Sequence, residues 1–431
     1  MVLHFWQSTS MTGAGGSGKF LIASARQKGA VEEVNFHIRK SKGFMNKFMN
    51  LELGGDGSSG GTVGGGVESV ETALHFIYSR EFWRMAVFWT ISLVASYLHL
   101  FFQRIFSQSS NAYPHSLPPK SMLRRPVCIV TGATSGLGAA AAYGLSRKGF
   151  FVVLVGRSSK LLYKTVERIK AQNRDAQLKA FDVDLSSFQS ILKFRVSLEK
   201  WLLDSDMHSS IQLLVNNAGI LATSHRTTAD GYDQMMATNY MGAFSLTKFL
   251  LPLIRNSPVG SRIVNVTSFT HRSATVCHLF NKGDYAIRWL TRKLFLEGAS
   301  GLQNNIHMLI SISTPSQLQL MDKPCQVSVN AADPGAVETN LMREVPSCLS
   351  RLAFRILKLL GLLQSPDIGA CSILDAALAP PEISGEYFFG GKGRTLNSSK
   401  LSYSVDLAEK LWTTSCDLFE ELQLASMEKE R

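Results

Sequence analysis

The sequence predicts an α/β protein built on a doubly wound parallel sheet of the Rossmann type. Two observations carry this prediction. From Arg125 onward, short apolar runs alternate with helical patterns at a spacing typical of strand–helix–strand units. The first apolar run also leads directly into a Gly-rich turn and a further helical pattern. In chain order the runs are "VCIVTG", "FFVVLVGR", "LKAFDVDL", "IQLLVNNAG", "SRIVNVTS" and "CQVSVNAADPG".

Composition divides the chain into segments. Residues 1–70 form a low-complexity tail that includes "GGDGSSGGTVGGG", and we predict that this tail is disordered. Its excess of Lys and Arg leaves a transit peptide as the alternative. Residues 71–106 form a membrane-anchor region and 107–124 a linker rich in Pro and Ser. The α/β domain covers 125–395, and a C-terminal helical extension covers 396–431.

One membrane helix is predicted from "MAVFWTISLVASYLHLFF", Met85 to Phe102. The run carries no full charge, and at about 1.5 Å per residue it is just long enough to span a bilayer core. Trp83, Trp89 and Tyr97 suit the membrane interfaces. His99 and the serines weaken this interpretation, so an interfacial or buried helix is the alternative.

Charge and cysteine content exclude several other classes of protein. The 431 residues carry a formal net charge of +12, but without a long run of like charges, which argues against nucleic-acid binding. The six cysteines lie far apart and form no CxxC pair, so neither a zinc site nor a disulfide framework is predicted. We therefore expect a single-pass membrane protein whose α/β domain faces a reducing compartment, either the cytosol or a plastid.

A dinucleotide site is predicted at "VCIVTGATSGLG". Gly132, Gly136 and Gly138 allow a tight turn in which the backbone approaches a pyrophosphate. The helix that begins near Leu137, just after Ser135, directs its free N–H groups and positive dipole end at that phosphate. The preceding strand and the following helix are the context that this motif requires.

The second predicted strand ends in "VLVGRSS", and Arg157 stands where NAD-specific sites place an acid for the ribose hydroxyl. A cation at this position suits a 2′-phosphate, so the predicted cofactor is NADP. The alternative is a surface Arg without a ligand.

These motifs together resemble those of the short-chain dehydrogenase/reductase family. "TGATSGLG", "NNAG", Asn239, Ser268 and "PGAVET" match in order and spacing, and the resemblance covers about residues 125–395. The chain is most similar to the retinol-dehydrogenase-like branch, and "ALAPPEISGEYFFGGKGRT" resembles the same segment of plant reductases. The resemblance implies reversible hydride transfer between NADP(H) and an alcohol or carbonyl carbon.

The resemblance also implies roles for individual residues around the cofactor. Asp184 in "DVDLSS" would face the adenine ring, with Asp182 as the alternative. The wall beside the cofactor would come from Asn217, Ala218 and Gly219. Its nicotinamide end would be held by Pro334, Gly335 and Thr339.

The family's catalytic residues are matched only in part. A Tyr hydroxyl exchanges a proton with the substrate oxygen, and a Lys one helical turn later lowers the Tyr pKa from its usual value near 10. A Ser holds the same oxygen, and an Asn holds a water. Ser268 in "RIVNVTSF" matches the Ser, with Thr267 as a weaker neighbour, and Asn239 in "MATNYMGAF" matches the Asn.

The Tyr and Lys are missing. Tyr285 is the only Tyr between Ser268 and Pro334, Trp289 stands one turn later, and the next Lys is Lys293. Codons for the segment Asn305–Ser316, read one frame over from the third base of the Asn305 codon, can encode Tyr-Pro-Tyr-Ala-His-Ile-Tyr-Lys-Tyr-Ser-Lys. This reading contains Tyr-x-x-x-Lys. Our hypothesis is a local frameshift or splice variant.

The substrate side is predicted at "CLSRLAFRILKLLGLLQ", Cys348 to Gln364. One helix face carries Arg and Lys and another carries Leu and Ile, so this segment either covers the site as a lid or lies on a bilayer. An apolar lid indicates a lipophilic small-molecule substrate. The rival prediction is a catalytically inactive NADP-binding scaffold or sensor, and a homodimer is left open for either.

Overall fold

A seven-stranded parallel sheet forms the centre of the protein, with strand order β3-β2-β1-β4-β5-β6-β9. The computed structural model describes residues 87, 89–106, 112–118, 124–205, 210–222, 226–273, 327–345 and 347–429. These all belong to one compact unit, Phe76–Arg431. The predicted tail, 1–70, lies outside them. The strands are β1 Val127–Thr131, β2 Phe151–Gly156, β3 Gln177–Asp182, β4 Leu213–Asn216, β5 Ser261–Val266, β6 Val327–Asp333 and β9 Tyr387–Phe389. A separate parallel pair is formed by β7 Ala336–Val337 and β8 Leu363–Gln364.

Helices flank this sheet. They are α1 Thr90–Phe106, α2 Gly136–Arg147, α3 Ser159–Gln172, α4 Phe188–Asp204, α5 Gln234–Met236, α6 Gly242–Arg255, α7 Ser347–Leu359, α8 Pro366–Leu378 and α9 Val405–Lys429. A π-helical turn, Ala237–Met241, joins α5 to α6. Short 3₁₀ turns cover Phe269–Ser273, Asn340–Glu344 and Lys400–Tyr403.

The Rossmann-like prediction is confirmed, and β1 to β6 coincide with the six predicted apolar runs, except that β3 begins one residue before its run, at Gln177. The strand order changes direction between β1 and β4. In such sheets a crevice opens at this point, outside the carboxyl ends of the strands. The first strand, "VCIVT", is buried along its whole length, as expected for a parallel strand covered on both faces.

Close packing of α2 on α8 fixes the helix that follows the Gly-rich turn. A Cβ at Gly144 of α2 would lie 2.7 Å from Leu374 Cδ1 of α8, so a larger residue would push the helices apart. Leu145 of α2 and Ile373 of α8 are both fully buried in the core between these helices and the sheet. The sequence rich in Ala and Gly therefore sets the position of the helix N-terminus at the crevice.

Helix α9 lies within the predicted C-terminal extension and covers α4 and α6. The Phe419 ring of α9 packs against Phe188 of α4 and Phe249 of α6, with ring centroids 5.4 and 5.0 Å apart. The buried hydroxyls of Tyr240 and Ser415 lie 2.9 Å apart in a hydrogen bond between the π-helical turn and α9. The extension therefore packs as part of the domain.

The predicted membrane helix, Met85–Phe102, overlaps α1. Within the ranges that the structure describes, no helix is both long and apolar enough to cross a bilayer. Helix α1 packs one face on the domain, where Leu93 and Leu100 are 1% and 6% exposed. Ile91, Leu98 and Phe101 are exposed on the same helix.

Candidate cofactor and substrate site

A cavity of about 450 Å³ opens at the carboxyl ends of β1, β4, β5 and β6. The sheet brings nearly all of the predicted site residues together here, because parallel strands end at the same edge. The predicted residues that line it are Gly132, Ser135, Gly136, Leu137, Gly138, Arg157, Asn217, Ala218, Gly219, Asn239, Ser268, Pro334, Gly335 and Thr339.

The Gly-rich turn has a backbone that side chains would obstruct. Gly132 and Gly136 have φ values of 66° and 54°, in the left-handed region that favours glycine. A Cβ at Gly138 would lie 2.4 Å from the Gly132 carbonyl oxygen. The N-cap residue of α2, Ser135, makes no capping hydrogen bond through its side chain. The first N–H groups of the helix can therefore bind a phosphate, and the cradle fits a dinucleotide.

A hydrogen-bonded link joins the ends of β1 and β4 beneath this turn. The Thr131 hydroxyl oxygen accepts from the backbone N–H groups of Asn217 and Ala218 at 2.9 and 3.0 Å. The Asn217 side-chain Nδ2 donates to the Thr131 carbonyl at 2.8 Å. Asn217 thus fixes the wall of the crevice through its own amide. Sequence reasoning missed Thr131, although a hydroxyl that ends an otherwise apolar buried strand was the signal.

Arg157 lies at the end of β2, where its exposed side chain lines the cavity. It forms no ion pair with any residue that the structure describes. The guanidinium group is thus available to an anionic ligand, as the predicted contact with a 2′-phosphate requires.

Asp184 is the predicted residue that the structure does not bring to the cavity. Its Oδ1 accepts from the backbone N–H and the hydroxyl of Ser186, at 2.9 and 2.7 Å, so the carboxylate stabilises a local turn. The alternative, Asp182, accepts from the Ser159 hydroxyl at 2.6 Å. The neighbours Val183 and Leu185 line the cavity instead.

Asn239 lies in the π-helical turn, a helical irregularity that is frequent at functional sites. Its Oδ1 accepts from the Ile220 N–H, and its Nδ2 donates to the Ile220 carbonyl, both at 2.8 Å. The side chain therefore clamps the chain after β4. The second N–H of Nδ2 and the other lone pair of Oδ1 take no part in these two bonds.

Ser268 follows β5 and is half-buried at the cavity wall. Its hydroxyl oxygen accepts from the Thr270 N–H at 3.3 Å, which leaves the hydroxyl proton available for a substrate oxygen. Its carbonyl lies 2.6 Å from Nδ1 of the fully buried His271. A carbonyl can only accept, so Nδ1 carries a proton, and Nε2 lies 3.0 Å from the Ser398 hydroxyl.

The Pro334–Gly335 turn depends on a buried acid that sequence reasoning also missed. Asp333 is fully buried, and its Oδ1 accepts from the Gly335 N–H at 2.8 Å. Its Oδ2 accepts from the Tyr387 hydroxyl of β9. Gly335 has φ 72°, so this bond holds the chain in a conformation that favours glycine. The signal was an acidic residue at the end of a buried strand, directly before Pro-Gly.

The cavity also has an apolar part. Phe269, Phe354 and Leu357 line it, together with Trp89, which directly precedes α1. The predicted lid helix, α7, thus faces the cavity through Phe354 and Leu357. This apolar lining suits an uncharged, lipophilic molecule.

The gap in the catalytic motif falls within the segment 274–326. Tyr285, Lys293 and Asn305–Ser316 all lie outside the described ranges. No group of His, Cys, Asp and Glu within the described residues is arranged to hold a metal ion.

A Gly-rich turn at the switch point of a parallel sheet defines the class of α/β domains that bind dinucleotides. The family model for short chain dehydrogenases matches residues 126–294. The chain belongs to the short-chain dehydrogenase/reductase family of oxidoreductases, as its motifs predicted.

Its relatives include three curated proteins. The chain is 34% identical to the polyprenol dehydrogenase of Mus musculus, over 62% of this chain and 75% of the relative. It is 29% identical to the chloroplastic short-chain dehydrogenase TIC 32 A of Brassica napus, over 72% and 92%. It is 28% identical to retinol dehydrogenase 13 of Homo sapiens, over 70% and 86%.

Proposed function

We propose that this protein is an NADP(H)-dependent oxidoreductase that interconverts an alcohol and a carbonyl group on a lipophilic small molecule. One observation carries the proposal: the Gly-rich turn, large apolar side chains and Ser268 all line a single cavity. A cofactor and an apolar substrate could therefore meet beside a hydroxyl group.

Different residues of the cavity would bind the cofactor and orient the substrate. Gly132, Gly136 and the N-terminus of α2 would hold the pyrophosphate, and Arg157 would pair with a 2′-phosphate. NADP(H), when bound, supplies or accepts the hydride. Ser268 donates its hydroxyl proton in a hydrogen bond to the substrate oxygen and so orients the reacting carbon.

The apolar wall supports a lipophilic substrate, and so do two relatives whose names refer to polyprenol and retinol. We accordingly propose a long-chain prenyl or retinoid-like alcohol, or the matching aldehyde. Burying such a chain is favourable by about 25 cal/mol per Å² of apolar surface, without a charged partner.

Exposed apolar side chains on two helices support membrane association. Ile91, Leu98 and Phe101 are exposed on α1. On α7, Leu359 is 87% exposed and Leu352 is also exposed. An amphipathic helix with basic residues binds an anionic bilayer surface through burial of its apolar side chains and through attraction between charges. Helix α7 carries the basic residues Arg351, Arg355 and Lys358.

Vesicle flotation tests this association. The protein should float with vesicles that contain anionic lipid, and the triple change of Arg351, Arg355 and Lys358 to Gln should weaken binding, by about 1 kcal/mol per charge removed. The matched control is the change of Lys164, Lys170 and Arg174, all exposed and distant in sequence, to Gln. Equal flotation of both triple variants would contradict a role for α7.

Compartment and assembly remain predictions. The cysteines Cys128, Cys348, Cys371 and Cys416 are free, which supports a reducing compartment, and a relative's name places that relative in the chloroplast. We propose the cytosol or a plastid on these grounds. A homodimer is still a prediction, and light scattering of the purified protein would test it.

One observation favours a second candidate, the inactive NADP-binding scaffold or sensor. The sequence contains no Tyr-x-x-x-Lys between Ser268 and Pro334. Sequencing the transcript across Asn305–Ser316 tests the frameshift hypothesis: codons that cannot yield Tyr-x-x-x-Lys in the neighbouring frame would eliminate it.

Two proteins decide between the candidates: this chain, and a version whose segment Asn305–Ser316 carries the neighbouring-frame reading. NADPH binding is measured by fluorescence, and hydride transfer by absorbance with polyprenol, retinol and their aldehydes. An enzyme binds NADPH and turns over at least in the restored version. If NADPH binds but neither protein turns over a substrate, the scaffold is established. If neither protein binds NADPH, both candidates are contradicted.

A further inference from the structure

Helix α1 lies outside the segment that matches the family, residues 126–294, yet it contacts the turn that carries Ser268. The Ser92 hydroxyl donates to the Phe269 carbonyl at 2.8 Å. Ser92 and Phe269 are both buried, so water does not compete for this bond.

This hydrogen bond acts on Ser268 through one peptide group. The Phe269 carbonyl and the Thr270 N–H belong to the same planar peptide unit. That N–H donates to the Ser268 hydroxyl oxygen at 3.3 Å. Ser92 therefore holds one end of a rigid plane whose other end sets the position of the Ser268 hydroxyl.

Apolar packing keeps α1 in place beside this turn. Leu93 and Leu100 are buried in a cluster with Phe269, Tyr387 and Phe389. The Gln364 Nε2 of β8 donates a hydrogen bond to the Tyr97 hydroxyl. These contacts run from Ser92 to Leu100, so the N-terminal part of α1 is attached to the domain.

The residue just before α1 reaches the cavity itself. Trp89 lines the cavity, as do Phe354 and Leu357 of α7. Trp89 and Leu357 also pack against the cluster that holds α1. An indole offers a large apolar face, which suits contact with a prenyl or polyene chain.

We propose that α1, together with Trp89 directly before it, is a built-in part of the active site. Trp89 is a wall of the substrate pocket and contacts the lipophilic chain, and Ser92 is a positioning residue that orients Ser268. The inference rests on the proposed function for the class of substrate.

Ligand binding tests the role of Trp89 without turnover. Dissociation constants of NADPH, geranylgeraniol and the short alcohol prenol are measured for the full chain and its variants. Trp89→Ala should weaken geranylgeraniol binding about tenfold, leave NADPH and prenol unchanged, and be largely rescued by Trp89→Phe. Ile105→Ala, at an exposed position of α1, is the matched control and should change none of them.

The outcomes separate this inference from the proposed function. Unchanged geranylgeraniol affinity in Trp89→Ala overturns the role of Trp89, and so does a wild-type protein that binds NADPH but no geranylgeraniol. A wild-type protein that binds geranylgeraniol through Trp89 but not NADPH supports the inference and contradicts the proposed oxidoreductase.

Backbone hydrogen exchange tests the role of Ser92. Ser92→Ala should accelerate exchange of the Thr270 amide about threefold to tenfold, and Ser92→Thr, which keeps the hydroxyl, should restore protection. In whichever version turns over, kcat should fall by a similar factor with KM unchanged. Exchange at Thr270 that is unaffected by Ser92→Ala overturns the positioning role.

Discussion

Adding a single methyl group at Gly138 should weaken the binding of a dinucleotide cofactor. A Cβ there would lie 2.4 Å from the Gly132 carbonyl oxygen and 2.5 Å from Asn217 Nδ2, where ordinary contacts start at about 3.4 Å. The turn or the helix must therefore move by about 1 Å. Overpacking of this kind costs about 1–3 kcal/mol, and a turn displaced by that amount no longer places its N–H groups on the pyrophosphate. Gly138→Ala should weaken NADPH binding about tenfold to a hundredfold.

The control is Gly149→Ala, just beyond the other end of α2. Gly149 has φ 92°, and a Cβ there meets nothing within 4 Å. Alanine is strained at this φ by about 1–2 kcal/mol, so the control loses stability without approaching the cofactor. Fluorescence titration with NADPH and a thermal melt are recorded for both variants. NADPH affinity of Gly138→Ala within about twofold of wild type, or an equal loss in both variants, would refute the reasoning.

Three further predictions concern single side chains. Arg157→Ala should weaken NADPH binding by about 1.5–3 kcal/mol and leave NADH binding nearly unchanged, because only NADPH carries the 2′-phosphate. Equal losses of affinity in titrations with NADPH and with NADH would contradict this. Burial raises the pKa of Cys128 well above the usual thiol value of 9.0, so the folded state keeps the proton as pH rises. Stability should therefore be intact below about pH 9 and fall above it, and denaturant titrations of Cys128→Ala should show a shallower fall. Asp375 accepts from His115 at 2.7 Å and from the Gly393 N–H at 2.8 Å. Asp375→Ala should lower the free energy of unfolding by about 2–4 kcal/mol, and a loss below about 1 kcal/mol would show that solvent replaces both bonds.

The sheet and the Gly-rich turn were predictable because their signals are local. In "VCIVT" the run of apolar residues is the strand, and every one of its residues is buried. Likewise, glycine at 132 and 136 follows from backbone conformations that few other residues adopt. The resemblance to the family named most of the residues around the cavity, and the sheet brings them together because parallel strands end at one edge.

The role of Asp184 was harder to predict because two local interactions compete. An acid after a strand can face a ligand, or it can accept hydrogen bonds from its own turn, and the sequence "DLSS" permits both. In the structure Oδ1 of Asp184 accepts hydrogen bonds from its own turn, through Ser186. Non-local partners such as Tyr387 for Asp333 have no local signal at all.

Helix α1 shows the limit of a hydropathy average. An apolar run of this length predicted a membrane helix, because the average does not record which residues share a face. In the structure Ser92 and Ser96 are buried on the domain side, whereas Ile91 and Leu98 are exposed. The part of α1 that contacts the turn beside Ser268 is thus polar. Only tertiary contacts determine which face of the helix is buried.

Contacts among residues on both sides of the segment 274–326 hold the site, and this separates cofactor binding from catalysis. Thr131 holds Asn217, Asp333 holds Gly335, and Ser92 holds the turn after Ser268. None of these bonds draws on residues 274–326. We therefore expect this chain to bind NADPH as it stands, and we expect restoration of Tyr-x-x-x-Lys to raise kcat by about 10²–10⁴, the usual contribution of a general acid. If only the restored version binds NADPH, the segment builds the cofactor site itself and this separation is wrong.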